Sequence, residues 1–172
     1  MGMFAGVTFT AILLLAAIGD LRKRRIPNRL VATLALLGLA FSVTQRPVLP
    51  GALHGLEGLF VGLACWLPFY AMGWLGAGDV KLFAAAGTWL GPMRSLEGAL
   101  IGALVGAVLA VLWMLKSQGV RNAVQTLGMA AGSPGLLSSP AGGEKGRSTL
   151  PYGVAIAIGA ICAAWIPGLL LG

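Results

Sequence analysis

Acid is scarce in this chain, with five Asp and Glu among 172 residues against twelve Lys and Arg. Charged residues of both signs make up only 10% of the sequence and hydrophobic residues 58%, which is too apolar for a soluble globular domain of this size. Cysteine is nearly absent: Cys65 and Cys162 lie in separate apolar runs, which excludes a C-x-x-C zinc or redox framework and reads as two small buried hydrophobes. His54 and Glu57 are three apart with no third donor nearby, so they read as helix-end groups near the outer surface, and neither a metal nor any other cofactor is expected. The stretch from Met1 to Gly19 has no basic start and no small-residue cleavage site, so it reads as a retained first helix. The net charge of +7 comes without a basic face interleaved with aromatics, and no nucleic-acid partner is expected.

Long apolar runs make up most of what remains. Measured against the roughly 20 residues that cross a bilayer, they predict helices near 3–20, 29–45, 52–73, 79–90, 96–116 and 151–170. The fold class is therefore all-α, a polytopic membrane helix bundle of about six transmembrane helices forming one membrane-embedded domain over 1–172. Arg22, Lys23, Arg24, Arg25, Arg29, Lys81, Lys116, Arg121, Lys145 and Arg147 fall at one set of turns, and Arg46 and Arg94 at the other. Ten against two places the first set in the cytoplasm, so both termini are expected to be periplasmic in a bacterial inner membrane. Trp66, Trp74, Trp89, Trp113 and Trp165 fall mostly near span ends, as in interfacial belts, and Glu97 reads as a first-turn acid on the fifth helix. Glycines four apart at Gly58 and Gly62, and at Gly98, Gly102 and Gly106, suit close helix packing, and the Gly98 face would also serve a homodimer. Residues 117–150, rich in Gly, Ser and Pro, read as a mobile cytoplasmic loop. Val120, Val124, Leu127 and Ala131 give its first half helical spacing.

Against this background two carboxylates stand out. Asp79 lies in Gly76-Ala77-Gly78-Asp79-Val80-Lys81, and Asp20 ends the first apolar run just before Leu21-Arg22-Lys23-Arg24-Arg25-Ile26-Pro27-Asn28. An ionisable group at membrane depth costs several kcal/mol and persists where it faces a bundle interior or a wet cavity. The run from Asp79 to Leu90 rises only about 18 Å as a helix, short of the ~30 Å hydrocarbon core. If Trp89 marks the outer interface, Asp79 is submerged, and its non-helical Gly76-Ala77-Gly78 needs a hydrated cavity. Gly76 and Gly78 would let the chain turn sharply and let a foreign backbone approach. Asp20 ends a span of nearly full length and should lie shallower, so a helix shift or local thinning is expected before both carboxylates reach one water.

These segments resemble the type IV prepilin peptidases, membrane aspartyl proteases with a Gly-x-Gly-Asp motif. Asp20 with its basic stretch and Ile26-Pro27-Asn28 is similar to the family's first motif, Gly76 to Leu82 to the second, and Pro151-Tyr152-Gly153 to a motif opening the last helix. The extra cytoplasmic segment with paired Cys found in long members, which also methylate the new amino terminus, is not seen here. The resemblance is thus to the short, peptidase-only branch of tight-adherence (Flp-type) pilus systems, without methyltransferase activity.

The resemblance implies an endopeptidase that removes the short basic leader of prepilins or pseudopilins, with Asp20 and Asp79 as the catalytic pair. One carboxylate, ionised, takes a proton from water, and the other, protonated, donates to the scissile carbonyl. Two carboxylates in a poorly solvated site share a proton in this way. Lys81 either biases that proton or meets an acidic residue of the substrate, and snorkelling to headgroups competes with both readings. Pro27 and Asn28 shape the turn and start the second helix. Anionic lipid, more than Arg22 to Arg25, is expected to attract the basic leader. The rival readings are a proton-coupled transporter, because intramembrane Asp residues also relay protons, and a non-catalytic pilus or secretion assembly factor.

Overall fold

With no water in the hydrocarbon region, backbone N–H and C=O groups must pair within their own segment, and apolar runs of this length do so as helices. The computed structural model describes residues 2–23, 26–132, 152–166 and 168, and of 23 and 113–132 the backbone only. It is a helix bundle: α1 spans Met3–Lys23, α2 Asn28–Thr44, α3 Val48–Ala71, α4 Ala77–Gly132 and α5 Tyr152–Trp165. Three of them, α1, α3 and α4, are long and apolar enough to cross a membrane, and α2 and α5 are shorter apolar helices. Arg24, Arg25, Lys145, Arg147 and Pro151 lie outside the described residues, as do residues 133–150, on which most of the expected loop falls.

The expected fourth and fifth spans belong to one element. They form the single element α4 of 56 residues, with Pro92 inside it. It is not straight. Gly91 has φ +75°, a left-handed conformation that glycine adopts without penalty, and Pro92 follows it. The ring of Phe83 lies 3.4 Å from where a Cβ on Gly98 would stand, although a straight helix would hold these residues about 22 Å apart. The element therefore doubles back at Gly91 into two antiparallel arms, 77–90 and 92–132, and the bundle has six apolar segments. The second arm remains helical to Gly132, so residues 117–132 continue α4.

Glycine sets how closely these segments approach. Gly58 of α3 faces Gly87 of the first arm so tightly that a Cβ on either would meet the other's carbonyl. Gly62 packs against Phe83 and Ala84 in the same antiparallel register. Along the second arm Gly98, Gly102 and Gly106 meet Gly159, Ala155 and Tyr152 of α5 in turn. That Gly98 face is buried against α5 within one chain and offers no surface to a second copy.

The aromatic belt is only partly where expected. Trp74 and Trp165 are exposed, but Trp66 and Trp89 are core residues, 4% and 8% accessible. Trp89 donates its indole N–H to the Leu34 carbonyl at 2.8 Å and stacks on Phe41, which fastens α2 to the first arm. A tryptophan at a span end can bury its ring when a neighbouring carbonyl takes its N–H. Gly38, with no side chain, admits that ring and Thr88. Glu97 departs further from expectation, being 3% accessible and accepting from the Gly168 amide at 3.3 Å. Glu57 is exposed, as read from the sequence, whereas His54 is half-buried against the Gly91 backbone.

These contacts fix the ends of the bundle. Trp165 packs on Gly6 and donates to Thr10 Oγ1 at 3.1 Å, so the start of α1 and the end of α5 share one end. The end of α1 and the starts of α2, α4 and α5 gather at the other.

Candidate functional site

Asp20 lies in the last turns of α1, where its charge opposes the negative end of that helix dipole. The first turn of α5 compensates. The Gly153 amide donates to Asp20 Oδ2 at 3.1 Å, placing the carboxylate at the positive end of a second helix. Only glycine fits there, because a Cβ on residue 153 would stand 2.7 Å from that oxygen and 3.1 Å from the Asp20 Cβ and Cγ. Gly153 therefore belongs to the site as the residue that holds Asp20.

Asp79 is the third residue of α4, and its Oδ2 accepts from the Gly76 amide at 3.3 Å. This is one half of a capping box, an acid reaching back to the amide that precedes its own helix. The Gly76 carbonyl accepts from the Asp79 and Val80 amides at 3.1 and 3.4 Å, which begins the helix. Gly78 is already helical, and a Cβ there would meet Ile26 at 3.6 Å, an ordinary contact. The left-handed turn before α4 falls at Gly73, φ +75°, and neither Gly76 nor Gly78 makes it. Sequence spacing does not single out Gly73, because any glycine in that run could take the turn.

Both carboxylates line one cavity of about 370 Å³ with Ile26, Asn28, Gly76, Ala77, Gly78 and Lys81. They are near enough for their charges to act on each other. Both carboxylates thus border the same space in the folded chain. Ile26, which stands just before α2, packs over Gly78.

Asn28 opens α2 and faces the cavity, while exposed Lys81 sits on its rim. Pro27 is the N-cap of α2 in an extended conformation, its carbonyl accepting from Leu30 and Val31, and it shapes the turn without lining the cavity. Tyr152, first in α5, is within electrostatic reach of Asp79 but lines a separate apolar cavity of about 130 Å³ with Trp66, Phe69 and Trp74. Two residues of the site were missed in the sequence. Ile26 carries no chemistry to mark it, and Ala77 is the unspecified position of Gly-x-Gly-Asp. Among the described residues, no group of three or more His, Cys, Asp and Glu is placed to hold a metal ion.

Fold and cavity together define a helical membrane protein with a paired-carboxylate site. The chain belongs to the type IV leader peptidase family, whose model matches residues 7–111 and so takes in both carboxylates. It is 33% identical to the prepilin leader peptidase/N-methyltransferase of Xanthomonas campestris pv. campestris, over 64% of this chain and 40% of that protein. The like-named protein of Bacillus subtilis is 35% identical over 61% of this chain and 44% of its own length. A type 4 prepilin-like proteins leader peptide-processing enzyme of Escherichia coli O78:H11 is 25% identical over 96% of this chain and 52% of its own length. The chain spans about half the length of the curated relatives it matches. No solved structure gives a significant match.

Proposed function

We propose that this protein is an intramembrane aspartyl endopeptidase that removes the basic leader from type IV or Flp-like prepilins and pseudopilins. The observation that carries the reading is the convergence of Asp20 and Asp79 on one cavity, each held by an amide at the start of a helix. Family membership and the names of the relatives support leader processing over the transporter and assembly-factor readings.

In this mechanism the two carboxylates share one proton, since two charges in a poorly hydrated site repel. The ionised carboxylate takes a proton from water, and the water oxygen bonds to the scissile carbonyl carbon as the protonated partner donates to the carbonyl oxygen. Collapse breaks the C–N bond, with a proton passing to the leaving amine. Gly76 and Gly78 leave room for the substrate backbone beside Asp79. Asn28 and exposed Lys81 are offered as polar contacts to the substrate, Pro27 as a turn former, Pro151 as a site-shaping residue, and Tyr152 and Gly153 as the opening of α5 that frames the site.

The excess of basic residues at the carboxylate end supports a cytoplasmic site in the bacterial inner membrane, with both termini in the periplasm. Anionic lipid attracts the basic leader to that face. The whole chain acts as one membrane-embedded peptidase domain, with residues 117–150 lying at the cytoplasmic face. Cleavage without N-methylation is proposed as the finer reading. Co-expression with a Flp-type prepilin and mass measurement of the mature pilin tests all of this. A leaderless, unmethylated amino terminus is expected. An intact leader on several prepilins refutes the peptidase reading, and a methylated terminus refutes the peptidase-only one.

A further inference from the structure

At the end of the bundle remote from the carboxylates, the two turns that carry Arg46 and Arg94 meet. Arg46 follows α2, and Arg94 follows the Gly91-Pro92 reversal of α4. Both line a cavity of about 500 Å³, larger than the one between the aspartates, together with Gln45, His54, Trp89 and Met93. Chain topology keeps these groups together. Ser42 Oγ donates to the Gly51 carbonyl at 2.7 Å and pins the α2–α3 turn, while His54 packs on the Gly91 backbone. Two guanidiniums and an imidazole thus face one space, and among the described residues no carboxylate lines it. Glu57, a turn along α3, is within electrostatic reach of His54 but outside the lining.

Like charges gathered on one cavity repel unless an anion joins them, and two guanidinium forks suit a phosphate oxygen pair. Part of the wall is apolar, with Phe41, Trp89 and Leu90. Its lip carries Met93, 67% exposed, and Val48 and Leu49 nearby in sequence are also exposed. A cationic recess beside an exposed apolar surface fits an amphiphile. We infer that the Arg46, Arg94 and His54 cavity binds the headgroup of an anionic phospholipid, with its acyl chains lying along the bundle surface. The site is separate from the proposed peptidase chemistry and does not rest on it.

Native mass spectrometry of the detergent-purified full chain, titrated with phosphatidylglycerol, phosphatidylcholine or inorganic phosphate, tests the inference. Each cation contributes roughly fivefold to anionic-lipid affinity, so Arg46→Gln with Arg94→Gln should weaken phosphatidylglycerol binding about thirtyfold. Arg22→Gln with Arg29→Gln removes the same charge from the opposite end and should leave binding near wild type. Equal weakening by both pairs refutes a local site. Equally tight phosphatidylcholine refutes selection of an anionic headgroup, and equally tight inorganic phosphate refutes the lipid assignment. Circular dichroism checks the double variant. If it has lost helicity, Arg46→Gln alone, an exposed position, should still weaken phosphatidylglycerol binding about fivefold, and unchanged binding there overturns the inference.

Discussion

Gly153→Ala replaces a hydrogen with a methyl group at the point where α5 meets Asp20. The new Cβ would lie 2.7 Å from Oδ2 and 3.1 Å from Cβ and Cγ of Asp20, all well inside the ~3.5–4.0 Å optimum for such contacts. The carboxylate must swing away, or α1 and α5 must part. Either movement stretches the Gly153 amide bond, now 3.1 Å, past a useful length. A hydrogen bond to a charged group is worth about 1.5–3 kcal/mol. If that loss falls on a carboxylate that moves protons in the transition state, kcat drops roughly 10- to 150-fold. KM should change little, because residue 153 acts through Asp20. Gly78→Ala, compared at saturating prepilin, is the control for kcat and folding, since its Cβ meets Ile26 at 3.6 Å, an ordinary contact. Initial rates of prepilin cleavage by both variants, with helicity checked by circular dichroism, measure the difference. A folded Gly153→Ala enzyme with wild-type kcat refutes the positioning of Asp20 by α5.

Three further outcomes concern the scaffold and the passage of substrate. Gly78→Ala should keep wild-type stability yet raise KM if substrate backbone runs beside Asp79, and unchanged KM on several prepilins contradicts that route. Trp89→Phe removes the indole donor to the Leu34 carbonyl and should lower stability by about 1 kcal/mol, read as an earlier unfolding midpoint in detergent. Gly73→Ala meets no atom within 4 Å, so its cost is the left-handed backbone alone, about 1–2 kcal/mol, and an unchanged midpoint argues against that turn.

Asp20 and Asp79 are legible in the sequence because an acid in an apolar run is expensive and therefore conspicuous. Helix packing through Gly58 and Gly98 is legible for a similar reason, since small residues four apart form a stripe. Their partners are not. Gly87 and Gly159 are matched to them by register, which only the folded chain defines. The Gly153 to Asp20 bond joins residues 133 positions apart, and no local pattern announces it. Trp89 and Trp74 look alike as aromatics near span ends, yet one is buried because Gly38 opens a slot for it and Leu34 supplies an acceptor. The contact of Ile26 with Gly78 is a further pairing across elements that helix rise alone does not give. The Arg46 and Arg94 pair read as the minority in a charge count, and its convergence on one cavity depends on two turns meeting in space.

Cleavage of a Flp-type prepilin by purified wild type, Asp20→Asn and Asp79→Asn, reconstituted side by side and shown to be folded, tests the paired-carboxylate chemistry most directly. Wild type should release the leader, and each variant should lose about 100- to 10,000-fold in rate, as expected when a general acid or base is removed. Undiminished cleavage by either folded variant would contradict a dyad of these two residues.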